Sequence, residues 1–344
     1  MINGLNIETA ALAAYLGDHV GGFCGFTSCE KFAAGQSNPT YLVTADSGRY
    51  VLRAKPPGKL LKSAHAVERE FRVMAALAPT DVAVPRVFHL AEDDASPIGR
   101  AFFVMEYLDG RIFWDPALPD LGKDDRGPIY DAMNATLAAL HSVDVAGAGL
   151  ADYGKPGTYF ARQLERWTAQ YRASALQPRP AMDALIAWLE GGMPADDGQV
   201  ALVHGDYRLD NMMFAPDAPQ VIGLLDWELS TLGHPLADLA YQCMQWRLPH
   251  NAGMRGLGGL DRAALGIPDE ADYVAAYCAR RGITGIDNWA FYLAFAFFRL
   301  AAILEGVVRR AHDGNASNPD TARQYAQAIP ALAALALQVI EEGP

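Results

Sequence analysis

Residues 202–211 read LVHGDYRLDN and residues 223–228 read GLLDWE, and these stretches carry the densest chemical signal of the 344-residue chain. Asn211 follows Asp206 by five residues, and Asp226 stands fifteen residues further on, at the end of a second apolar run. An isolated Asp after an apolar strand is usually a turn residue or a helix cap. The three residues together, at this separation between two β-like runs, argue against that reading.

These three side chains are of the types that phosphoryl transfer from a nucleotide requires. The first Asp of such a set accepts or orients the proton of the attacking hydroxyl. The Asn and the second Asp offer hard oxygen ligands, which Mg²⁺ prefers. The motif therefore predicts a nucleotide-dependent phosphoryl-transfer site.

The first hundred residues are rich in predicted strands. Residues 8–20 carry apolar positions at helical spacing and predict an opening helix, and residues 63–77 predict one internal helix. Short runs of β-branched and aromatic residues predict strands, and the Asp46-Ser47-Gly48 tripeptide predicts a hairpin turn. The predicted strands are Phe26–Lys31, Thr40–Thr44, Tyr50–Lys55, Val84–Leu90 and Ala101–Tyr107.

From Pro128 onward the periodicity is mainly helical, interrupted by β-like runs at Val200–Val203 and Gln220–Leu225. Strand patterning ends near Tyr107, so the predicted division is residues 1–107 and residues 108–344. The predicted helices are Ile129–Ser142, Tyr159–Arg172, Ala181–Glu190, Pro235–Trp246, Ala271–Arg280, Asn288–Arg310 and Asp320–Glu341.

The motif resembles that of the aminoglycoside phosphotransferase and choline kinase-like enzymes, relatives of protein kinases in fold. Further blocks in the family's order support the resemblance, which covers roughly residues 25–300: GQSNPTY (35–41), YVLR (50–53), VERE (67–70), FVMEY (103–107) and GHPLADLA (233–240). It implies an α+β, bilobal protein kinase-like fold. A small antiparallel sheet with one main helix would form the nucleotide-binding N-lobe, and a larger, mostly helical C-lobe would carry the catalytic loop and acceptor site.

The stretches KPPGKLL (55–61) and SAHAVERE (63–70) are similar to a narrower branch. In that branch a kinase-like domain precedes the dehydrogenase domain of some acyl-CoA dehydrogenases. The expectation is that these 344 residues hold the kinase-like domain without a dehydrogenase half.

Carried over to this sequence, the resemblance makes Asp206 the catalytic base and Asn211 and Asp226 the metal ligands. Arg53 stands where the family has the strand-borne cation, usually Lys, that contacts the nucleotide phosphates, with Glu70 as its ion-pair partner. Arg can clamp phosphate oxygens through two parallel N–H bonds. Lys55 lies on the same face of the strand and remains the alternative.

The remaining expected nucleotide contacts are Ser37 and the segment from Glu106 to Leu108. The turn at Ser37 lacks repeated glycines and would by itself be read as an ordinary hairpin, but it precedes Arg53 between two strands. The Glu106–Leu108 segment resembles the inter-lobe hinge, whose main chain would bind the adenine edge. The implied co-substrate is ATP or GTP with Mg²⁺.

The composition limits the choice of partners. The 28 basic and 40 acidic side chains give a net charge of −12, which argues against broad nucleic-acid or anionic-membrane surfaces. The four scattered cysteines predict reduced thiols. The N-terminus lacks a basic n-region, so the expected location is the cytoplasm. The apolar segment Trp289–Leu304, interrupted by Arg299, predicts a buried core helix and not a membrane span.

Only eleven residues separate Asp226 from Asp238, too few for the activation segment of a protein kinase. We therefore expect a constitutively active enzyme with a small-molecule acceptor, held by residues between about 113 and 193 and by the C-terminal helices. Asp238 and His204 are expected to support the catalytic loop, and Glu228 is read equally as a metal-shell oxygen or a solvated acid.

Arginines on one predicted helix favour an anionic or acyl-bearing hydroxyl compound over a cation; they are Arg162, Arg166 and Arg172. Resemblance to the dehydrogenase-linked branch makes a hydroxyacyl-CoA or a hydroxy acid the leading acceptor. The alternatives are an aminoglycoside or choline-type kinase and, in another class, a non-catalytic nucleotide-binding scaffold. The sequence leaves the oligomeric state open.

Overall fold

The computed structural model describes residues 2, 4–32, 38–58, 65–250, 255–314 and 319–343, without the side chains of 319–324. Its strands are β1 (Phe26–Lys31), β2 (Thr40–Ala45), β3 (Gly48–Ala54), β4 (Val87–Ala91), β5 (Phe102–Glu106), β6 (Ala201–Val203), β7 (Met212–Phe214), β8 (Val221–Leu224) and β9 (Thr231–Gly233). Its α-helices are α1 (Thr9–His19), α2 (Val67–Leu77), α3 (Lys123–His141), α4 (Tyr159–Ser174), α5 (Pro180–Gly191), α6 (Leu236–Cys243), α7 (Arg262–Leu265), α8 (Glu270–Arg281), α9 (Trp289–His312) and α10 (Pro319–Glu342).

The chain folds into two compact units. The first comprises Met1–Ile112, Ala146–Leu150 and Asn211–Ser230, and the second comprises Phe113–Val145, Ala151–Asp210 and Thr231–Pro344. The sequence-based division after residue 107 did not include the return of residues 211–230 to the first unit.

The first unit is built on a five-stranded antiparallel sheet in the order β1-β2-β3-β5-β4. Strand β2 alternates between buried and half-buried positions, the period-2 pattern of a strand with one face on a core. Ala45 pairs with Gly48 across the β2–β3 turn, so the tripeptide at 46–48 closes a tight hairpin as predicted. Gly48 has a φ of +135°, which an L side chain rarely adopts.

Helix α2 presents one apolar stripe, in which Val67, Val73, Met74 and Leu77 are buried at helical spacing. Glu70 lies in the same stripe and is also buried. A buried carboxylate needs partners to compensate its lost hydration. This position therefore marks a polar site inside the first unit.

The hairpin of β7 and β8 belongs to the first unit because its backbone pairs there. Arg111 and Phe214 exchange hydrogen bonds of 2.8 Å in both directions, and Leu224 N–H donates to the Ala83 carbonyl at 2.8 Å. Gly223 of β8 lies where a Cβ would come within 2.3 Å of Leu108 Cδ1. The close approach of Leu108 to β8 therefore requires glycine at position 223.

Helix α9 forms the core of the second unit. It is long and apolar enough to cross a membrane by length and composition alone, and 83% of its most apolar 18-residue window is buried against protein. The prediction of a buried core helix at Trp289–Leu304 is therefore confirmed. Strands β6 and β9 pair antiparallel in this unit, with Leu202 opposite Leu232.

Most predicted elements are confirmed to within a few residues at their ends, and all four cysteines are free. The helix predicted from residue 63 begins at Val67, with residues 61–64 outside the described ranges. Helix α6 ends at Cys243 and continues as a 3₁₀ turn, Met244–Trp246. The prediction missed β7, β9 and α7, which are only three or four residues long and too short for a periodic signal.

Candidate functional site

Arg53 on β3 connects two acidic side chains of the first unit. Its Nε lies 3.0 Å from Glu70 Oε2, and its Nη2 lies 2.6 Å from Asp226 Oδ1. The predicted Arg53–Glu70 ion pair is present in this geometry. Charge-assisted bonds of this kind fix a guanidinium firmly.

Asn38 and His65 extend this network. Asn38, which is buried, donates through Nδ2 to Glu70 Oε1 at 2.8 Å, and its Oδ1 lies 3.1 Å from His65 Nδ1. Burial raises the pKa of Glu70 to about 7, against the opposing effect of Arg53. Burial and the charge of Arg53 lower the pKa of His65.

Lys55, the alternative cation, binds elsewhere. Its Nζ contacts the carboxylate of Glu68 and lies 2.9 Å from Asp93 Oδ2. Its side chain therefore has different acidic partners from those of Arg53. Of the two cations, the geometry favours Arg53 as the one next to Asp226.

Asn211 and Asp226 flank the open end of the β7–β8 hairpin. Leu225 N–H donates to the Asn211 carbonyl at 2.8 Å, continuing the pairing of Met212 with Leu224. Asp226 then adopts a left-handed conformation, with φ of 63°, that Asp tolerates better than most residues. Asn211 and Asp226 therefore lie on neighbouring chain segments, and the chain leaves the strand conformation at Asp226.

The side-chain oxygens of Asn211 and Asp226 fit a magnesium site whose remaining ligands would be substrate phosphates and waters. Mg²⁺ is typically held by one or two carboxylates, with waters and substrate phosphates filling its octahedral shell. Among the described residues, no cluster of three His, Cys, Asp or Glu side chains forms a self-sufficient metal site. Glu228, two residues beyond Asp226, is half-buried, and its charge acts on Arg53.

The other predicted nucleotide contacts are Glu106, Leu108 and Ser37. Glu106 ends β5, and its carboxylate accepts from Arg86 N–H at 3.2 Å. Leu108 follows the strand, and among the described residues no backbone carbonyl accepts from its N–H. Ser37 lies outside the described residues.

In the second unit, the loop around Asp206 is held by Asp238. The carboxylate of Asp238 accepts from His204 N–H at 2.6 Å and from Gly205 N–H at 2.9 Å, so its predicted supporting role is confirmed. Burial alone would raise the pKa of Asp238, but hydrogen bonds from His141 and the loop hold it below its usual range. Burial lowers the pKa of His141, whose Nε2 faces Asp238 at 3.4 Å and whose Nδ1 lies 2.7 Å from the Tyr277 hydroxyl.

Two further residues of the second unit contact the loop and were not predicted. Arg299 of α9 is buried and donates to the Gly205 carbonyl at 2.6 Å, with its guanidinium 5.4 Å from the Tyr241 ring centroid. Tyr241 of α6 is buried, and its burial, together with the charge of Asp206, raises the pKa of its hydroxyl. The signal for Arg299 was its position as a single cation in the most apolar segment. Tyr241 gave no comparable signal.

A cavity of about 220 Å³, which we name the Arg208 cavity, opens beside this loop within the second unit. Its described lining is Phe113, Trp114, Pro116, Arg208, Leu209, Asp210, Tyr241, Gln242, Met244, Gln245, Leu248, Arg255, Leu300 and Tyr325. The predicted acceptor-binding arginines Arg162, Arg166 and Arg172 are not among these residues. Arg162 donates to the carbonyls of Lys155 and Pro156 near the start of its own helix.

The model of the phosphotransferase enzyme family matches residues 28–292, more than half of the chain. The chain belongs to the phosphotransferase enzyme family. This membership confirms the family resemblance and the enzyme class predicted from the motif.

Individual relatives agree with this membership. Acyl-CoA dehydrogenase family member 10 from Mus musculus is 49% identical over 307 residues, covering 89% of this chain and 28% of the mouse protein. The chain thus spans less than a third of this relative. A candidate aminoglycoside phosphotransferase from Ralstonia eutropha JMP134 has a crystal structure that is 47% identical, with a TM-score of 0.88 and coverage of 97% of this chain and 98% of that chain.

More distant structures support the fold alone. Spectinomycin phosphotransferase, crystallised with ADP and spectinomycin, is 12% identical with a TM-score of 0.64, and the match covers 97% of this chain and 99% of that one. The α+β, protein kinase-like fold expected for this phosphotransferase is confirmed.

Proposed function

We propose that this phosphotransferase moves the γ-phosphoryl group of ATP or GTP to a hydroxyl of a small-molecule acceptor, with Mg²⁺. The observation that carries the proposal is the placement of Arg53 between Glu70 and Asp226. A strand-borne cation, its helix-borne partner and a carboxylate after β8 are the parts that position nucleotide phosphates in kinase-type catalysis.

On the nucleotide side, Arg53 binds phosphate oxygens while Glu70 holds its guanidinium in place. Asn211 and Asp226 supply the protein oxygens that would hold Mg²⁺, which when bound neutralises phosphate charge. The main chain at Leu108, which donates to no backbone carbonyl in the described ranges, takes the adenine edge, and Glu106 ends the strand that places it. Ser37 is proposed as a further phosphate contact.

On the acceptor side, Asp206 receives the hydroxyl proton. The acceptor oxygen forms a bond to the γ-phosphorus as the bond from that phosphorus to the nucleoside diphosphate oxygen breaks, and the diphosphate leaves. Asp238 holds the loop that carries Asp206 by accepting hydrogen bonds from the His204 and Gly205 N–H groups. Arg299 holds the same loop by donating to the Gly205 carbonyl. The loop is therefore held rigidly before the acceptor binds, which favours proton transfer at a fixed distance.

A hydroxyacyl-CoA or a related hydroxy acid is the acceptor we favour. The name of the mouse relative refers to acyl-CoA chemistry, and the Arg208 cavity combines aromatic and aliphatic walls with Arg208 and Arg255. An aminoglycoside or choline-type acceptor is the second candidate, because the fold is shared with spectinomycin phosphotransferase. A non-catalytic nucleotide-binding scaffold is the third.

A transfer assay separates these candidates. The purified chain is incubated with Mg²⁺ and ATP or GTP and with hydroxyacyl-CoAs, hydroxy acids, aminoglycosides, choline and sugars, and phosphorylated product is detected by mass spectrometry. We expect product from hydroxyacyl-CoAs or hydroxy acids and none from Asp206→Asn. Selective transfer to aminoglycosides or choline would establish the second candidate, whereas tight nucleotide binding without transfer to any class would favour the scaffold.

A further inference from the structure

Two hydrogen bonds hold the carboxamide of Asn38 in one orientation. Asn38 is 1% exposed, its Nδ2 donates to Glu70 Oε1 at 2.8 Å, and its Oδ1 lies 3.1 Å from His65 Nδ1. An ionised carboxylate only accepts hydrogen bonds, so Glu70 takes the Nδ2 side of the amide and leaves Oδ1 to face the imidazole. His65 therefore carries its proton on Nδ1 and donates it to Asn38.

The backbone at the start of α2 places His65 for this contact. Its φ of 60° lies in the left-handed region, which few residues other than glycine and asparagine adopt, and its carbonyl accepts from Val67 N–H at 2.9 Å. Burial and the charge of Arg53 lower the pKa of His65, so the ring is neutral at neutral pH and keeps a single N–H. Backbone strain of this kind is typical of residues with a specific task at a site.

Asn38 itself is tied to the strand pair that carries Arg53. It precedes β2 by two residues, and Thr40 Oγ1 donates to its carbonyl at 3.0 Å. Thr40 stands opposite Arg53 in the ladder between β2 and β3. The amide of Asn38 therefore connects the strands around Arg53 with the helix that carries Glu70.

This connection fixes the carboxylate against which the guanidinium of Arg53 lies. Arg53 Nε is 3.2 Å from Glu70 Oε1 and 3.0 Å from Oε2, and Asn38 donates to Oε1 as well. Nη2 lies 2.6 Å from Asp226 Oδ1, and Nη1 lies 3.5 Å from Thr40 Oγ1. Among the described residues, these contacts leave one N–H on each terminal nitrogen. Two such groups suit a bidentate bond to phosphate oxygens, provided that the guanidinium does not rotate.

We propose that Asn38 and His65 are positioning residues that adapt the phosphate site to arginine, by holding Glu70 in the orientation in which Arg53 offers both terminal nitrogens to the nucleotide. Lysine in this place would bind through one ammonium group and would not need a fixed plane of the carboxylate. This inference rests on the proposed function and adds to it the residues that orient the phosphate-binding cation.

A double-mutant cycle on Mg²⁺-ATP binding tests the proposal. Calorimetry is carried out on the full chain at pH 8, above the pKa of Glu70 of about 7. Asn38→Leu keeps the approximate size of the side chain and removes both hydrogen bonds, and it should weaken binding at least about tenfold, the effect of one hydrogen bond to a charged group. In the Arg53→Lys background the same change should weaken binding by less than about threefold. Equal losses in the two backgrounds would overturn the inference.

His65→Ala and His65→Asn form a matched pair for the outer residue. Asn tolerates the left-handed backbone and places an N–H donor near the position of the imidazole Nδ1. We expect His65→Ala to weaken Mg²⁺-ATP binding and His65→Asn to restore most of the affinity. Equal affinities in the two variants would contradict the role of the His65 donor.

A readout without nucleotide is the Nε–H NMR signal of Arg53, assigned by its absence from Arg53→Lys. Its exchange with solvent should be at least about tenfold faster in Asn38→Leu than in the wild type, because the guanidinium loses its fixed partner. Exchange as slow as in the wild type, in an Asn38→Leu variant that melts cooperatively, would overturn the inference.

The matched control is Asn134→Leu in the second unit. Asn134 is also 1% exposed, and its carboxamide donates to the Tyr273 carbonyl at 2.8 Å and accepts from Arg280 at 2.9 Å. Its replacement should lower the melting temperature but leave the Arg53 signal and Mg²⁺-ATP affinity unchanged. Changes in Asn134→Leu as large as those in Asn38→Leu would show a general loss of stability and contradict a positioning role.

The two readouts separate this inference from the proposed function. Absence of Mg²⁺-dependent nucleotide binding to the wild type would contradict the proposed function, and the NMR comparison would still decide whether Asn38 fixes Arg53. Intact nucleotide binding with an Arg53 signal that is insensitive to Asn38→Leu would contradict this inference alone.

Discussion

At the scale of single residues, Arg53 replaces the Lys that the family resemblance leads one to expect. The planar guanidinium reaches Glu70 and Asp226 at once, which the point charge of Lys does less well. Lys55, two residues later, forms ion pairs with Glu68 and Asp93. These contacts favour Arg53 over Lys55 as the proposed phosphate-binding cation, a choice that the spacing along the strand left open.

Replacing each cation by Ala tests this assignment. Arg53→Ala should weaken Mg²⁺-nucleotide binding by about tenfold or more, since a hydrogen bond to a charged group contributes roughly 1.5–3 kcal/mol. Lys55→Ala should have a smaller effect on binding. Isothermal calorimetry with both variants measures the difference, and a larger loss in Lys55→Ala would reverse the assignment.

The buried Glu70 makes a pH-dependent contribution to stability. Burial raises the pKa of Glu70 to about 7, from an ordinary value of 4.5. The unfolded carboxyl loses its proton near 4.5, whereas the folded one keeps it until about 7, so the folded state binds more protons across this window. The free energy of unfolding contributed by this group should therefore fall as the pH rises from 4.5 to 7.

Glu70→Gln should remove this dependence. Urea unfolding of the wild type and the variant at pH 5 and pH 7.5 measures it. The loss of stability between the two values should be smaller in the variant, by about 1–3 kcal/mol. Identical pH dependence in the two proteins would show that Glu70 does not titrate in this window.

At the scale of secondary-structure elements, α9 does more than fill the core. Its buried Arg299 donates to the Gly205 carbonyl and places a cation beside the rings of Tyr241 and Trp167. The apolar periodicity predicted this helix and its burial. The contact of Arg299 with a loop more than ninety residues earlier is non-local and has no counterpart in the local pattern.

Arg299→Met should therefore lower kcat by about tenfold or more while nucleotide affinity stays near that of the wild type, because it displaces the loop of Asp206. It should also destabilise the fold by about 1–3 kcal/mol, since the Gly205 carbonyl loses its donor. Steady-state kinetics and thermal unfolding check both effects, with Arg299→Lys expected to restore part of the activity.

The control for this helix is Arg166→Met on α4. Arg166 is exposed and has its guanidinium 5.3 Å from the Trp167 ring centroid, so it shares one aromatic neighbour with Arg299. Among the described residues it makes no hydrogen bond to the loop of Asp206. Its replacement should leave kcat unchanged. A kcat of wild-type size in Arg299→Met would contradict the supporting role of α9.

The segment between Asp226 and Asp238 contains a 3₁₀ turn (Trp227–Leu229), β9 and the start of α6. Ser230 is buried and donates to the Trp227 carbonyl at 2.5 Å, so its hydroxyl is shielded from a modifying enzyme. Incubation with generic protein kinases should leave turnover unchanged. A manyfold activation that accompanies phosphorylation of Ser230 or Thr231, located by mass spectrometry, would contradict the expectation of a constitutively active enzyme.

The sequence predicted the elements of this fold better than the way they combine. Long periodic segments such as α4 and α9 and alternating strands such as β2 follow from local patterns. Strands β7 and β9 are three residues long and are defined by their pairing, β7 with β8 in one hairpin and β9 with β6 much earlier in the chain. The return of residues 211–230 to the first unit likewise depends on pairing between Arg111 and Phe214, which no local signal encodes.

At the scale of the whole molecule, the predicted site residues are divided between the two compact units. Asp206 belongs to the second unit, whereas Arg53, Glu70, Asn211 and Asp226 belong to the first. The chain passes from one unit to the other between Asp210 and Asn211, within the motif itself. The net charge of −12 coexists with a local cation at Arg53, so the proposed phosphate contact depends on local geometry and not on the overall charge.

We propose that Asp206 acts on the acceptor and Asp226 on the Mg²⁺-nucleotide. The most direct test measures nucleotide Kd and kcat in Asp206→Ala and Asp226→Ala, using the acceptor found in the transfer assay. Asp206→Ala should lose roughly two to four orders of magnitude in kcat with a nucleotide Kd near that of the wild type, the result expected for a lost general base. Asp226→Ala should lose Mg²⁺-dependent nucleotide binding and turnover together. A fully active Asp206→Ala, or wild-type nucleotide binding in Asp226→Ala, would contradict the claim.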